Sequence, residues 1–272
     1  MSQAGEHRIE AALARARDEG RVGLIAYLPA GYPEPDATPG LVRALIDGGA
    51  DAIELGLPFS DPMADGATIQ RASQRALENG MTAARCLELV GALRAEGLVI
   101  PLIVMTYYNP ILAYGPDGFV QDAAAAGLDG LIAVDVPPEE AEELVAHCRA
   151  QRIDLIPLLA PTSTDERIAL AARQASGFLY CVSVAGVTGA RKALPPDLGA
   201  FLQRVRRQTT LPLAVGFGVS RREHIEALSG QADAAIVGSA IVDIIEASPR
   251  AEREARVREY VEVLTGRTKA ST

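Results

Sequence analysis

Residues 130–159, GLIAVDVPPEEAEELVAHCRAQRIDLIPLL, decide the fold. The run 130–134 is continuously apolar rather than alternating, the pattern of a strand covered on both faces. Pro137, Pro138, Glu139 and Glu140 follow. Proline fits the first helical turn, and acids meet the positive end of the helix dipole there. An amphipathic segment continues to residue 150, and 154–159 is apolar again. Strand, helix and strand in this order read as one unit of a parallel sheet.

The same alternation runs along the chain. Strand-like cores fall at 22–28, 52–57, 102–107, 130–134, 154–159, 178–183, 213–215 and 234–237. Helices are expected at 38–47, 67–78, 83–96, 117–126, 138–150, 164–174, 198–207 and 221–228, with a first helix near 7–19 and a last at 249–264. Ser163, Thr164, Asp165 and Glu166 offer a cap followed by first-turn acids. Gly49, Gly97 and Gly127 stand where helices should stop. Eight strand–helix units in 272 residues predict a single closed (β/α)₈ TIM barrel spanning 1–272, with an open doubly wound sheet as the structural competitor. No linker or charge block marks a second domain. Residues 58–101 leave room for a long loop and an extra short helix after the second strand, and 240–247 predicts another after the eighth.

Composition narrows the function. Hydrophobic residues make up 49%, enough for a large core, and the net charge of −9 argues against a nucleic-acid partner. Aromatics are 4% and Trp is absent, so platforms for base stacking are few. Cys86, Cys148 and Cys181 lie far apart with no C-x-x-C spacing, which speaks against a metal site or disulfide framework and suits a reducing cytoplasm. The polar N-terminus has no apolar signal core, and no apolar run approaches the roughly 20 residues that cross a bilayer.

Two clusters carry chemistry. In IELGLPFSDPMADG (53–66), Ala52, Glu54 and Gly56 share the strand face that points into a barrel, while Ile53, Leu55 and Leu57 face the helices. Small neighbours leave space around Glu54 near the strand's C-terminal end, where barrel enzymes keep their chemistry. Desolvation there would raise its pKa and suit a general acid/base. An inward Glu satisfied by an ion pair or backbone donors is the equal alternative. Asp61 and Asp65, before Pro and Gly, each read alone as turn residues. The second cluster is glycine-rich: VAGVTG (184–189), GFG (216–218) and Gly238-Ser239, which opens the helix at 240–247. Glycines in the last strand-to-helix turns, with a short helix aimed at them, predict a phosphate site built from backbone N–H groups.

Together these stretches resemble the tryptophan synthase alpha chain family. ELGLPFSDPMADGATIQRA (54–72) is similar to its signature around the catalytic glutamate and second acid. AGVTGAR, GFGVS and IVGSAIV resemble its flexible and phosphate loops, and MTYYNP and AVDVPPEE fit its third and fourth strands. The resemblance covers essentially the whole chain, in order. The first motif is long and specific, whereas glycine loops recur in many phosphate-binding barrels.

The resemblance implies retro-aldol cleavage of indole-3-glycerol phosphate to indole and glyceraldehyde 3-phosphate. It makes Glu54 the general acid/base and Asp65 the acceptor of the indole N–H. It puts Tyr180 beside Glu54, although a core aromatic is the other reading. It gives Gly189, Gly218, Gly238 and Ser239 to the phosphate, and Thr188 to closure of the loop over Asp65. It implies a pyridoxal-phosphate-dependent beta chain as partner, in an α₂β₂ assembly, with no cofactor on this chain. A stand-alone lyase, or a non-catalytic phosphate-binding barrel that regulates a partner, are the alternatives. The first strand ends YLPAGYP (27–33) where many members read more like FVTLGDP, and Val184 stands where some carry arginine. Arg191 and Lys192 read as solvated charges beside the loop.

Overall fold

Proline at 157 removes a backbone donor from the middle of the fifth expected strand, and the strand divides there. Its halves are β5 (Asp154–Leu155) and β6 (Leu158–Leu159). The other strands are β1 (Gly23–Pro29), β2 (Ala52–Gly56), β3 (Leu102–Thr106), β4 (Gly130–Ala133), β7 (Leu179–Val182), β8 (Leu213–Gly216) and β9 (Ala234–Val237). The computed structural model describes residues 7–182, 194–216 and 218–268. All strands pair in parallel in the order β5-β4-β3-β2-β1-β9-β8-β7-β6. Because β5 and β6 are consecutive, the order begins and ends on one stretch of chain. Ile156 N–H donates to the Leu131 carbonyl at 3.0 Å and Tyr180 N–H to the Pro157 carbonyl at 3.2 Å, which seals the ring. The sheet is therefore a barrel of eight staves, and the open-sheet competitor is excluded.

The helices are α1 (Arg8–Asp18), α2 (Thr38–Gly48), α3 (Ala67–Glu78), α4 (Ala83–Ala95), α5 (Tyr108–Tyr114), α6 (Pro116–Ala126), α7 (Glu142–Gln151), α8 (Asp165–Gln174), α9 (Leu198–Arg206), α10 (Arg222–Ala227), α11 (Ser239–Ala247) and α12 (Arg253–Thr265). Both helices expected between the second and third strands form, with 12 and 13 residues, so the extra one is a full helix rather than a short one. Two details correct the sequence reading. The helix expected over 138–150 starts as a 3₁₀ turn, Pro138–Glu140, before α7. Helix α5 was not expected; Pro110 falls in its first turn, where a missing N–H has no intrahelical partner to lose.

Two cores result from the alternation of side chains along each strand. Ile53, Leu55, Val104, Leu131 and Val215 pack outward beneath the helices. Inside the ring, each stave contributes to a separate cluster: Ile25, Ala52, Ile103, Ile132, Ile156, Phe178, Ala214 and Ile236. Ile9 and Leu13 of α1 join this inner cluster and plug the end of the barrel where the strands begin. A Cβ at Gly130 would stand 2.8 Å from Ile9 Cδ1, so the plug needs glycine there.

The same end carries a repeated clamp. Asp51, Asp129 and Asp233 each precede a strand, and each accepts an N–H from the neighbouring one: Leu24, Leu102 and Leu213, all at 2.8 Å. Each carboxylate also holds arginine. Arg21 grips Asp51 with two bonds of 2.7 and 2.8 Å, Arg206 reaches Asp233 at 2.5 Å, and Asp129 binds both Arg8 and Arg94. Arg94 further donates to the carbonyls of Gly127, Leu98 and Ile100. Removing Asp129 would leave a half-buried guanidinium and the Leu102 N–H without their acceptor. We expect Asp129→Ala to cost roughly 3 kcal/mol in urea unfolding. The folded protein should keep its specific activity, because this rim lies opposite the strand ends that carry the site.

Candidate active site

Strand β2 aims Glu54 into the barrel between Ala52 and Gly56, in register with Tyr27 of β1. The residue is 1% exposed, and no described group bonds its Oε2. Burial first, and Asp65 second, push its pKa from 4.5 up to about 8. At neutral pH the group is a carboxylic acid with a proton to give.

Asp65 reaches the site from the loop after β2. That loop is held by β3 and α3. Phe59 leans on the Tyr107 ring at a centroid distance of 5.3 Å, and the Tyr107 hydroxyl accepts the Ala64 N–H at 2.9 Å. The Gln70 amide donates to the Asp65 carbonyl at 2.9 Å. Asp65 is 7% exposed; burial raises its pKa to about 6, and the bond from Tyr107 restrains the rise. The two acids of the motif thus separate. Asp61 is exposed and accepts the Ser60 hydroxyl at 2.5 Å, as a turn residue would. Tyr107 was missed as a site residue because it reads as the end of a strand. Its signal was a hydroxyl-bearing aromatic at a barrel strand's C-terminal end.

Two more phenols surround Glu54. Tyr180 lies in the inner cluster, as its inward position on the sixth stave requires, and the Glu54 charge helps raise its pKa after burial. Tyr27 is raised likewise, by burial and then by Asp65 and Glu54. A Cβ on Gly56 would collide with the Tyr27 hydroxyl, and one on Gly216 with that of Tyr180. These glycines make room for the rings.

The other pole of the cavity is made of backbone. Gly218 has φ +93°, a conformation L side chains rarely adopt. Gly238 caps α11, which starts at Ser239, one residue ahead of the expected 240. Among the described residues nothing accepts the N–H groups of Ser239 and Ala240, the usual state of a first helical turn. Gly218, Gly238, Ser239 and Ala240 line the same cavity as Glu54, Asp65 and Tyr180, with about 520 Å³ of space including its open mouth. Thr188, Gly189, Arg191 and Lys192 lie outside the described residues. No group of His, Cys, Asp and Glu among the described residues could hold a metal ion. The three thiols are buried and pushed up to about 12, so none is a ready nucleophile.

Comparison with known proteins gives one answer. A tryptophan synthase alpha chain from Roseiflexus castenholzii is 53% identical over 259 residues, covering 95% of this chain and 99% of its own length. The structure superposes on tryptophan synthase subunit alpha from Legionella pneumophila with a TM-score of 0.88 at 36% identity, covering 96% of this chain and 98% of that one. A chain of Mycobacterium tuberculosis tryptophan synthase gives 0.86 at 38%, covering 97% and 99%. With residues 13–272 matching the family model for the tryptophan synthase alpha chain, and with a barrel whose lumen holds two unlike carboxyl groups, this chain belongs to the tryptophan synthase alpha chain family.

Proposed function

We propose that this site carries out the lyase reaction of its family, cleavage of indole-3-glycerol phosphate to indole and glyceraldehyde 3-phosphate, through Glu54 and Asp65. One observation carries the residue roles: two buried carboxyl groups in one cavity have pKa values pushed apart, to about 8 and about 6. Between these values Glu54 is protonated and Asp65 is charged. Glu54 gives its proton to the indole ring carbon that bears the side chain. The ring becomes cationic, and its N–H faces the Asp65 carboxylate, which stabilises the charge. Glu54, now ionised, takes the side-chain hydroxyl proton. The carbon–carbon bond breaks, its electrons restore the aromatic ring, and the hydroxyl carbon leaves as the aldehyde. Tyr107 holds Asp65 in place, and Tyr27 and Tyr180 wall the lumen against water.

The N–H groups near Gly218, Gly238 and Ser239 suit the phosphate, since a helix start favours an anion. The family works with a beta chain. We infer an α₂β₂ complex in which pyridoxal phosphate sits on the partner and this chain carries no cofactor. No helix among the described residues is long and apolar enough to cross a membrane. Three free, buried cysteines support a cytoplasmic setting.

Glu54→Gln keeps the shape and loses the transferable proton. Indole release should fall by ~10²-fold or more in a folded sample. Near-normal release would remove Glu54 from the mechanism. The same variant tests the burial argument. The folded-state pKa of about 8 lies above the ordinary 4.5, so the folded protein holds this proton more tightly than the unfolded chain. Stability contributed by the neutral group is complete below about 4.5 and is lost as pH rises through about 8. Glu54→Gln should therefore gain Tm over wild type progressively from pH 5 to pH 8.

The pH dependence of kcat/KM should be bell-shaped, rising through about 6 as Asp65 ionises and falling through about 8 as Glu54 loses its proton. Asp65→Asn should lower activity and erase the acid limb. At the other pole, Gly218→Val should weaken glycerol 3-phosphate binding by ~10-fold or more, with indole binding unchanged in calorimetry.

A further inference from the structure

The loop after β8 is held from both sides at one residue. Ser220 lines the cavity two positions after Gly218. Its backbone N–H donates to Nδ1 of His224 at 3.3 Å, and its backbone carbonyl accepts the Tyr260 hydroxyl at 2.7 Å. His224 belongs to α10 and Tyr260 to α12, the last helix of the barrel. The two helices are tied in turn, since the Arg222 guanidinium donates to the Leu264 carbonyl at 3.0 Å.

The physical consequence concerns peptide planes. An anion held by N–H groups needs those groups aimed before it arrives, because a loop that must be ordered on binding loses affinity. Gly218, at φ +93°, gives the turn its shape but adds no stiffness, since glycine is the least restrained residue. Stiffness has to come from the following residue. The Ser220 N–H fixes the plane before it, and the Ser220 carbonyl fixes the plane after it. His224 is buried, and burial raises the Tyr260 pKa, so the hydroxyl stays a donor throughout the neutral range.

We propose that His224 and Tyr260 are positioning residues for the substrate phosphate, clamping Ser220 so that the turn before it presents the N–H groups of Gly218 and Val219 to the anion. The inference rests on the reading that Gly218, Gly238 and Ser239 form the phosphate pole. It adds two residues, one of them on the C-terminal helix, that do not touch the reacting atoms.

The test uses the full chain, with glycerol 3-phosphate and indole as separate probes in calorimetry and with steady-state cleavage. Tyr260→Phe removes one hydroxyl and keeps the ring. Its Kd for glycerol 3-phosphate and its KM should rise about 3- to 10-fold, the range of one lost hydrogen bond. Its kcat and its Kd for indole should stay within about twofold, the pattern of lost uniform binding. His224→Leu should behave alike. His224→Asn places Oδ1 where Nδ1 stood and should restore phosphate binding. Unchanged phosphate binding in both Tyr260→Phe and His224→Leu overturns the proposal, as do equal losses for the two probes. Gly218→Val separates the two levels. If it weakens phosphate binding while the clamp variants do not, only the clamp fails; if neither acts, the phosphate reading itself fails.

Discussion

A carboxyl group enclosed by a ring of parallel strands has to find a cation or give up its charge. Glu54 finds no cation among the described residues, and burial holds it protonated to about pH 8. Much of the architecture serves that condition. The ring must be closed, so that no edge admits water beside the group. Its neighbours on the strand must be small, so that the acid can stand in the lumen at all. The facing positions must hold bulky rings that deny it solvent, and Tyr27 and Tyr180 occupy them. The resulting acid is uncharged where most carboxyl groups are ionised, which makes it useful as a proton donor.

Asp65 shows how a different setting yields a different acid eleven residues along the chain. It hangs from a loop rather than a strand and keeps a little exposure. It also accepts a bond from Tyr107, which favours its charged form. One group is ready to give a proton while the other is ready to face a positive charge. Each also depends on the other, since the Asp65 charge is part of what raises Glu54. The pair titrates as a unit, and its working range is the interval between the two values.

The two ends of the barrel divide the polar chemistry. Where the strands begin, aspartates are matched with arginines and with leading strand N–H groups, and the lumen is plugged by Ile9 and Leu13. Those charges are satisfied and hold strands together. Where the strands end, a carboxyl group lacks a cation and helix N–H groups lack acceptors among the described residues. Unsatisfied polar groups cost stability, and a substrate that supplies the missing partners is bound by the same deficit.

Much of this was legible in the order of residues. Continuous apolar runs separated by helical segments gave eight staves, and the run at 234–237 matched β9 residue for residue. The inward face of Ala52, Glu54 and Gly56 followed from a period of two, a local property of any extended chain. The glycines at 218 and 238 and the helix after them could be read as a candidate anion site because backbone conformation is also local. Other features needed the fold. Pro157 divides a strand and still leaves the ring closed, because its two halves pair with different neighbours. Asp61 and Asp65 look alike in sequence, yet the fold buries Asp65 beside Tyr107, over forty residues away, and leaves Asp61 in water. Tyr260 reaches Ser220 across 40 residues of chain. Sequence by itself determined which faces are apolar and where the backbone can turn, since both are settled within a few residues. Tertiary structure alone decided which carboxyl groups lose their water, because desolvation is set by everything packed around a group and not by its neighbours in the chain.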